Sequence, residues 1–230
     1  MPRQLTLSVG LPDHASFANY YTGSNTEAVE AIKAIAHKCS GLLFVSGEPG
    51  SGKSHLLYAA QKMSIAAGQP ATYLSMSDER VRLSLGGFEN LGILVCVDDI
   101  EQVAGKRQLE RLLFNLIEQN RQVDGALIIA CERRPAEYSF LMADLVSRLQ
   151  SGVSYRLQPL TDSHKSAAMR LRARQRGFDL PDEVISYVMK RFPRDTAALF
   201  VLLDRIDKAS LSEQRRVTIP LVKNLEEKQR

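Results

Sequence analysis

The stretch from Gly47 to Ser54 carries the clearest chemical signal in this sequence. It reads Gly-Glu-Pro-Gly-Ser-Gly-Lys-Ser and fills every fixed position of the phosphate-binding pattern G-x-x-x-x-G-K-[ST]. In such a loop the glycines let backbone N–H groups surround phosphate oxygens, Lys53 reaches the β and γ phosphates, and the Ser54 hydroxyl ligates Mg²⁺. The alternative is a glycine-rich turn that matches by chance. The pattern predicts a site for a nucleoside di- or triphosphate.

Two acidic residues, Asp98 and Asp99, follow the apolar run 93–97. A carboxylate at the tip of a buried strand can hold Mg²⁺ through its water shell, and its neighbour can orient an attacking water. In isolation the pair would read equally well as exposed loop acids. The phosphate loop upstream favours the functional interpretation, with Ser54 and Asp98 as the metal-binding pair.

Two arginines are candidates for contacts with phosphate. Arg148 follows a predicted helix over 136–146, on a loop from which it could reach a phosphate bound by a neighbouring subunit. Arg194 opens a predicted helix over 194–209 and could reach the nucleotide from the C-terminal part of the chain. An ordinary surface arginine remains the alternative at each position.

The loop requires a strand before it and a helix after it, and both are indicated by the pattern. Apolar runs alternate with helical periodicity up to about residue 158, which predicts an α/β fold with a parallel five-stranded sheet. The strands are expected at 42–46, 71–74, 93–97, 126–130 and 153–157. After Pro159 the pattern is helical, at 162–177, 181–191, 194–209 and 218–228. We therefore expect an N-terminal peptide (1–12), a P-loop nucleotide-binding α/β domain (13–158) and a small all-α lid (159–230).

Composition narrows the class of protein. The net charge of +4 is modest, and the basic residues at 170, 172, 174 and 176 alternate between opposite faces of a helix. A solvated helix is therefore favoured over a nucleic-acid-binding stripe. No apolar run of membrane-spanning length and no signal peptide is apparent, and the three cysteines read as reduced thiols. These features predict a cytoplasmic protein with no membrane contact.

Residues 3–9 precede any element that could pack a core, and their alternating apolar pattern has two interpretations. They could form a short edge strand, or an exposed peptide that docks into a partner's apolar groove. The residues alone leave the two even.

Taken together, the motifs resemble an AAA+ ATPase, and more narrowly the central ATPase domain of DnaA, the bacterial replication initiator. The resemblance is carried by the phosphate loop, Val97-Asp98-Asp99, Ser147-Arg148-Leu149 and Arg194, and by the stretches Phe17–Gly23 and Cys131–Pro135. Gln4–Val9 is similar to the motif that docks on the replicative sliding clamp. Leu171–Arg174 and Gly177–Pro181 look like the Hda family, regulatory homologues that inactivate the initiator. As in that family, we expect neither the initiator's DNA-binding helix-turn-helix domain nor its N-terminal domain.

The resemblance implies a regulatory function. ADP or ATP with Mg²⁺ would bind at Gly47, Glu48, Pro49, Gly50, Ser51, Gly52, Lys53, Ser54, His55 and Arg194. Phe17, Tyr20 and Tyr21 lie where the family holds the adenine. Arg148 would be an arginine finger given in trans to the ATP of DnaA, while Gln4, Leu5 and Leu7 would bind the sliding clamp, the β subunit of DNA polymerase III. The chain would then stimulate ATP hydrolysis on DnaA beside the DNA-loaded clamp and down-regulate replication initiation.

Two departures and two rival functions accompany this prediction. Glu132 stands where the family's first sensor usually has Asp, Asn or a hydroxyl, and Ser8-Val9 ends the clamp motif where a larger apolar residue is preferred. The rivals are a self-standing, helicase-loader-like ATPase and a clamp-tethered binding module whose nucleotide only holds the fold. Weak ATPase activity of its own stays open, as does the choice between a homodimer and a heteromer with DnaA. Contact with DNA is expected to be indirect.

Overall fold

The computed structural model describes residues 15–87, 91–213 and 215–227. Internal contacts divide the chain into two compact units. The first contains the described residues up to Phe17 together with Asn25–Leu157, and the second contains Ala18–Ser24 together with the described residues from Gln158 onward. Ala18–Ser24 falls within the predicted range 13–158, yet its contacts group it with the second unit. The predicted peptide 1–12 lies outside the described residues.

A parallel five-stranded sheet forms the centre of the first unit. Its strands are β1 (Gly41–Ser46), β2 (Ala71–Ser75), β3 (Leu94–Asp98), β4 (Ala126–Cys131) and β5 (Val153–Arg156), in the spatial order β2-β3-β4-β1-β5. Every residue of β3 and β4 is buried, as expected of strands covered on both faces. The predicted sheet is confirmed, and the strand ends differ from the prediction by a single residue at most.

Helices cover this sheet. They are α1 (Thr26–Lys38), α2 (Lys53–Ala66), α3 (Glu79–Ser84), α4 (Arg107–Gln122) and α5 (Ala143–Gln150). Leu127 and Ile129 of β4 join a buried cluster with Leu113 of α4 and Leu145 of α5, while β4 also contacts α1 and α2. From β1 the chain crosses to β2 on one side of β1, and from β4 it crosses to β5 on the other. Such a switch point places a ligand crevice at the carboxyl ends of the strands.

The predicted helix over 136–146 is wrong. The helix in this region is α5, and Pro135–Glu137 forms only a short 3-10 turn before it. The backbone N–H groups of Leu141 and Met142 instead donate to the buried Glu110 carboxylate. Because Leu149 is also buried, the apolar face continues one turn further than predicted. Arg148 therefore lies in the last turn of a helix rather than on the loop after it.

The second unit is a helical bundle, as predicted for the lid. Its helices are α6 (Asp162–Gln175), α7 (Asp182–Arg191), α8 (Thr196–Glu213) and α9 (Ile219–Glu227). Thr161 caps α6, because its hydroxyl oxygen accepts a hydrogen bond from the His164 backbone N–H at 3.3 Å. Apolar residues from all four helices fill the core, among them Met169, Val188, Leu203 and Val222.

Three of the four arginines clustered at 170–176 contact other side chains of the lid. Arg170 is paired with Asp182, and Arg176 with Asp204 and Asp207. The Arg172 guanidinium lies 3.6 Å from the centroid of the Phe200 ring, and burial beside Arg176 lowers the pKa of Arg172 to about 10. These contacts stabilise the lid and leave no continuous basic stripe on this helix.

Two general features complete the description. Within the described residues, no helix is both long and apolar enough to cross a membrane. Cys39, Cys96 and Cys131 are buried and free, consistent with the prediction of reduced thiols.

Candidate nucleotide-binding site

The predicted phosphate loop connects β1 to α2. Gly50 and Gly52 have φ angles of 79° and 92°, which glycine adopts without strain. A Cβ atom on Gly47 would lie 2.7 Å from Ser51 Oγ and 3.1 Å from Leu157 Cβ. The loop is thus a tight backbone cradle that side chains at these positions would distort.

Lys53, the first residue of α2, lies across this cradle. Its side chain is buried, and its ammonium group donates hydrogen bonds to the carbonyl oxygens of Gly47 at 2.7 Å and Glu48 at 3.2 Å. The positive charge is therefore held at the N-terminus of α2, where the helix dipole also favours an anion. Both features suit a phosphate group.

Ser54 and Asp98 lie together, as the metal-site prediction requires. Asp98 is fully buried, accepts hydrogen bonds from the Tyr73 hydroxyl at 2.8 Å and the Asp99 N–H at 3.0 Å, and is also bonded to the Ser54 side chain. Burial raises the pKa of Asp98, and the nearby Asp99 charge raises it further. A buried carboxylate of this kind is better compensated by a cation than by water.

Asp99 is held by a different set of donors. Its backbone adopts the left-handed conformation, with φ at 58°. Its Oδ2 atom accepts hydrogen bonds from the hydroxyls of Ser75 at 2.9 Å and Ser77 at 2.8 Å. The two predicted acids are therefore neighbours in sequence with separate partners, and Asp99 is fixed against the end of β2.

Glu101 is a third acid of the site that sequence reasoning missed. Burial raises the pKa of Glu101, the charges of Asp99 and Glu132 raise it further, and Lys53 acts in the opposite direction. Glu132 itself follows β4, and its carbonyl oxygen lies 3.2 Å from the Gly47 nitrogen. Glu101 and Glu132 thus join the loop lysine and Asp99 in one electrostatic group.

These residues fit a magnesium–nucleotide complex. Among the described residues, no group of three or more His, Cys, Asp or Glu side chains could cage a metal ion. Mg²⁺ in phosphate sites needs no such cage, because it keeps water ligands and binds through one or two protein groups plus phosphate oxygens. Asp98 beside Ser54, next to the Gly47–Lys53 cradle, supplies that arrangement.

Arg148 lies in the last turn of α5, on a different element from the loop cradle. Its Nε atom is 2.8 Å from Glu118 Oε1 on α4, and its side chain is 40% exposed. Its exposure keeps the guanidinium accessible to another molecule.

Arg194 belongs to the second unit and precedes α8 instead of opening it. Its guanidinium pairs with Asp162 and donates to the Met189 carbonyl at 3.2 Å. All three residues line a cavity of about 310 Å³, and Lys190 lines it as well. The sensor role proposed for Arg194 stays a prediction.

The remaining candidates divide between the two units. His55 Nε2 lies 2.9 Å from the Ser16 carbonyl, so this nitrogen carries a proton and donates. Phe17 packs in the first unit, with the Lys33 ammonium 5.5 Å from its ring centroid. Tyr21 stacks obliquely on His164 in the second unit. The clamp-binding candidates Gln4, Leu5 and Leu7 lie outside the described residues.

Two family models match the chain. Residues 87–156 match the bacterial DnaA ATPase domain, and residues 162–225 match the lid domain of Hda. The first match contains the acidic pair Asp98-Asp99 and Arg148, and the other match spans the helical lid. The chain therefore contains a DnaA-type ATPase region, and its lid is similar to that of Hda.

Solved structures agree with this DnaA-type fold. Domain III of Thermotoga maritima DnaA superimposes with a TM-score of 0.77 at 19% identity, covering 93% of this chain and 96% of that one. A DnaA structure with AMPPCP and single-stranded DNA gives 0.71 at 19% identity, covering 90% and 70%. The Thermotoga maritima RuvB branch-migration motor gives 0.60 at 18% identity, covering 88% and 68%. Identities this low establish the fold alone.

The candidate site also contains residues for which the sequence gives little signal. Tyr73, Ser75 and Ser77 hold the two acids, although no motif marks them. Strand order is the signal that could find them, because β2 lies beside β3 and Ser75 is in register with Asp98. Residues at the carboxyl end of β2 must therefore face the acids.

Proposed function

We propose that the chain is a regulatory AAA+ protein that stimulates ATP hydrolysis on DnaA beside the DNA-loaded sliding clamp, and so down-regulates replication initiation. The observation that supports this most is the match of the lid to that of Hda, directly after a DnaA-type core. The resemblance of the N-terminal peptide to a clamp-docking motif adds the clamp. The replication machinery is thus the proposed setting of the protein.

The protein's own nucleotide, ADP or ATP, is proposed to bind in the Gly47–Lys53 cradle with Mg²⁺ at Ser54 and Asp98. Mg²⁺ supplies charge neutralisation for the phosphates when bound. Lys53 would exchange its loop carbonyls for phosphate oxygens, and Asp99 would orient water. Arg194 would contact the nucleotide from the lid, the second-sensor role that the family resemblance implies.

Arg148 is the residue proposed to act on DnaA. A guanidinium carries a permanent charge and a planar set of donors, which suits the developing negative charge of phosphoryl transfer. Its exposed position at the end of α5 supports a role toward a second molecule rather than toward the chain's own loop. Hydrolysis would then occur on the nucleotide of DnaA.

A self-standing, helicase-loader-like ATPase is the second candidate. The contact between Ser54 and Asp98, together with the well-anchored Asp99, favours it, because these are the groups that hydrolysis in cis would need. Rapid ATP turnover by the isolated chain, unaffected by deletion of residues 1–12, would support this candidate over the regulator.

The decisive experiment measures ATP hydrolysis on DnaA with clamp-loaded DNA and either wild type or Arg148→Ala. An arginine finger contributes about a thousandfold or more to turnover, so the variant should lose nearly all stimulation while still binding DnaA. Arg80→Ala is the matched control, because Arg80 is an exposed arginine of the same unit paired with Asp78. Full stimulation by Arg148→Ala would refute the trans role.

The clamp is tested in the same assay. Replacement of Gln4, Leu5 and Leu7 by alanine should abolish the increase in stimulation that loaded clamp provides and leave nucleotide binding unchanged. Stimulation that needs the clamp equally in this variant would exclude the N-terminal peptide as the clamp-binding element.

A further inference from the structure

Arg148 contacts one carboxylate on the neighbouring helix. Glu118 of α4 approaches with Oε1 at 2.8 Å from the Arg148 Nε atom, and the Glu118 side chain is only 20% exposed. This pairing uses the inner nitrogen of the guanidinium. Beside this contact the Arg148 side chain keeps 40% of its surface exposed.

The environment of Glu118 Oε1 shows how strongly the pair is coupled. This oxygen is buried and accepts no hydrogen bond within the described part of the chain. A buried carboxylate oxygen requires compensation, and the Arg148 charge is the one beside it. The contact is one of charge rather than of a well-aligned hydrogen bond, and it holds the guanidinium beside Glu118.

Glu118 is in turn anchored on its own helix. Its second oxygen, Oε2, accepts a hydrogen bond from Arg121 Nη2 at 2.9 Å, one turn further along α4. One carboxylate therefore bridges two arginines, Arg148 through Oε1 and Arg121 through Oε2.

The backbone of Arg148 is fixed independently. Leu145 and Leu149, on either side of it in α5, are buried in the same cluster as Leu113 and Ile117 of α4. An arginine side chain otherwise loses considerable rotamer entropy when it is held in one position. With the backbone packed and the inner nitrogen tethered, much of that ordering is complete before a partner arrives.

We propose that Glu118 is a positioning residue that presents the Arg148 guanidinium outward for a phosphate bound by a partner. This inference rests on the proposed trans role of Arg148. It adds a group on α4 that the phosphate-binding motifs do not contain.

Arginine side-chain NMR tests the positioning without reference to any partner. The Arg148 Nε–Hε signal of the ¹⁵N-labelled full chain is assigned by its disappearance in Arg148→Lys. We expect a positive heteronuclear NOE in the wild type and a marked loss of it in Glu118→Gln, with Glu30→Gln unchanged. Glu30 is a suitable control because it forms an ion pair at 2.8 Å with Lys33 on a different helix, α1. Equal order of Arg148 in wild type and Glu118→Gln would overturn the proposal.

The DnaA hydrolysis assay gives the functional consequence. Half-exposed ion pairs contribute up to about fivefold in an equilibrium, so Glu118→Gln should lower stimulation by about that factor. The same change in an Arg148→Ala background should have no further effect. Glu118→Asp keeps the charge but moves the carboxylate further from Arg148, so its stimulation should lie between that of wild type and that of Glu118→Gln. Increased stimulation by Glu118→Gln would mean that Glu118 restrains Arg148, which contradicts the proposal. If wild type itself fails to stimulate while the NMR result holds, the proposed function fails and the positioning stands.

Discussion

Replacing Glu110 by glutamine should destabilise the first unit and loosen the start of α5. The Glu110 side chain is fully buried, and its carboxylate accepts hydrogen bonds from three backbone N–H groups. These donors are Gly105 at 2.8 Å, Leu141 at 2.8 and 3.0 Å, and Met142 at 2.9 Å. One side chain thus connects the turn before α4 to the segment before α5.

The magnitude follows from what glutamine can retain. Its single oxygen can serve the donors on one side, while its NH₂ group would face an N–H on the other. Losing the charge weakens the retained bonds, and hydrogen bonds to charged groups contribute about 1.5–3 kcal/mol each. Gly105 and Leu141 lie near the surface, where water can replace part of the loss. We therefore expect the free energy of unfolding to fall by about 2–3 kcal/mol, and Tm by about 4–12 °C for a chain of this size.

Urea unfolding followed by circular dichroism, together with hydrogen exchange, measures this effect. Exchange should accelerate chiefly at the amides of Leu141 and Met142, and less across β3 and β4. Glu30→Gln is the control for removing a charge from an exposed ion pair and should change the unfolding free energy by less than about 1 kcal/mol. A Glu110→Gln protein with unchanged unfolding and unchanged protection at these two amides would refute the anchoring role.

Two further predictions concern the nucleotide and the buried thiols. Lys53→Ala should weaken binding of a fluorescent ADP analogue by about a hundredfold, because it removes a charged donor from the loop, and undiminished affinity would exclude the loop as the site. Chromatography of denatured wild type should identify a retained adenine nucleotide. Burial raises the pKa of Cys131 from 9.0 to about 12. Between these pH values the folded protein keeps a thiol proton that the unfolded chain releases. The contribution of Cys131 to the free energy of unfolding is therefore fully present below pH 9 and should be lost as the pH rises toward 12. Cys131→Ala should make this decline shallower by up to about 1.4 kcal/mol per pH unit in urea unfolding, and parallel curves for the two proteins would contradict the assignment.

The fold was largely predictable because its signals are local. The central strands β3 and β4 are short apolar runs, and the lid helices carry periodic apolar positions. The error over 136–146 has a physical cause, because the segment before α5 is held by a carboxylate 31 residues earlier in the chain. No local pattern reports that contact.

The site was predictable to a similar extent. The loop and Asp98 were identifiable because a spacing rule and a strand end specify them, and parallel strands then gather Ser54 and Asp98 at one edge. Tyr73, Ser75 and Glu118 were not identifiable, since their roles depend on which elements lie side by side. The position of Arg148 was known in sequence, but whether it lay on a loop or a helix depended on how α5 is anchored.

These dependencies separate the two activities proposed for the chain. The nucleotide cradle is built at the carboxyl ends of β1, β3 and β4, whereas Arg148 is held by two carboxylates of α4, Glu110 through the backbone before α5 and Glu118 through the guanidinium. Damage to one structure should therefore leave the other intact. Glu110→Gln should lower the stimulation of DnaA without weakening nucleotide binding. Lys53→Ala should weaken nucleotide binding and leave Arg148 ordered. If both results are found, the hydrolysis that the chain promotes does not occur on its own nucleotide. If both variants lose both properties, the nucleotide and Arg148 form one cooperative unit, and the arginine acts only when the cradle is filled.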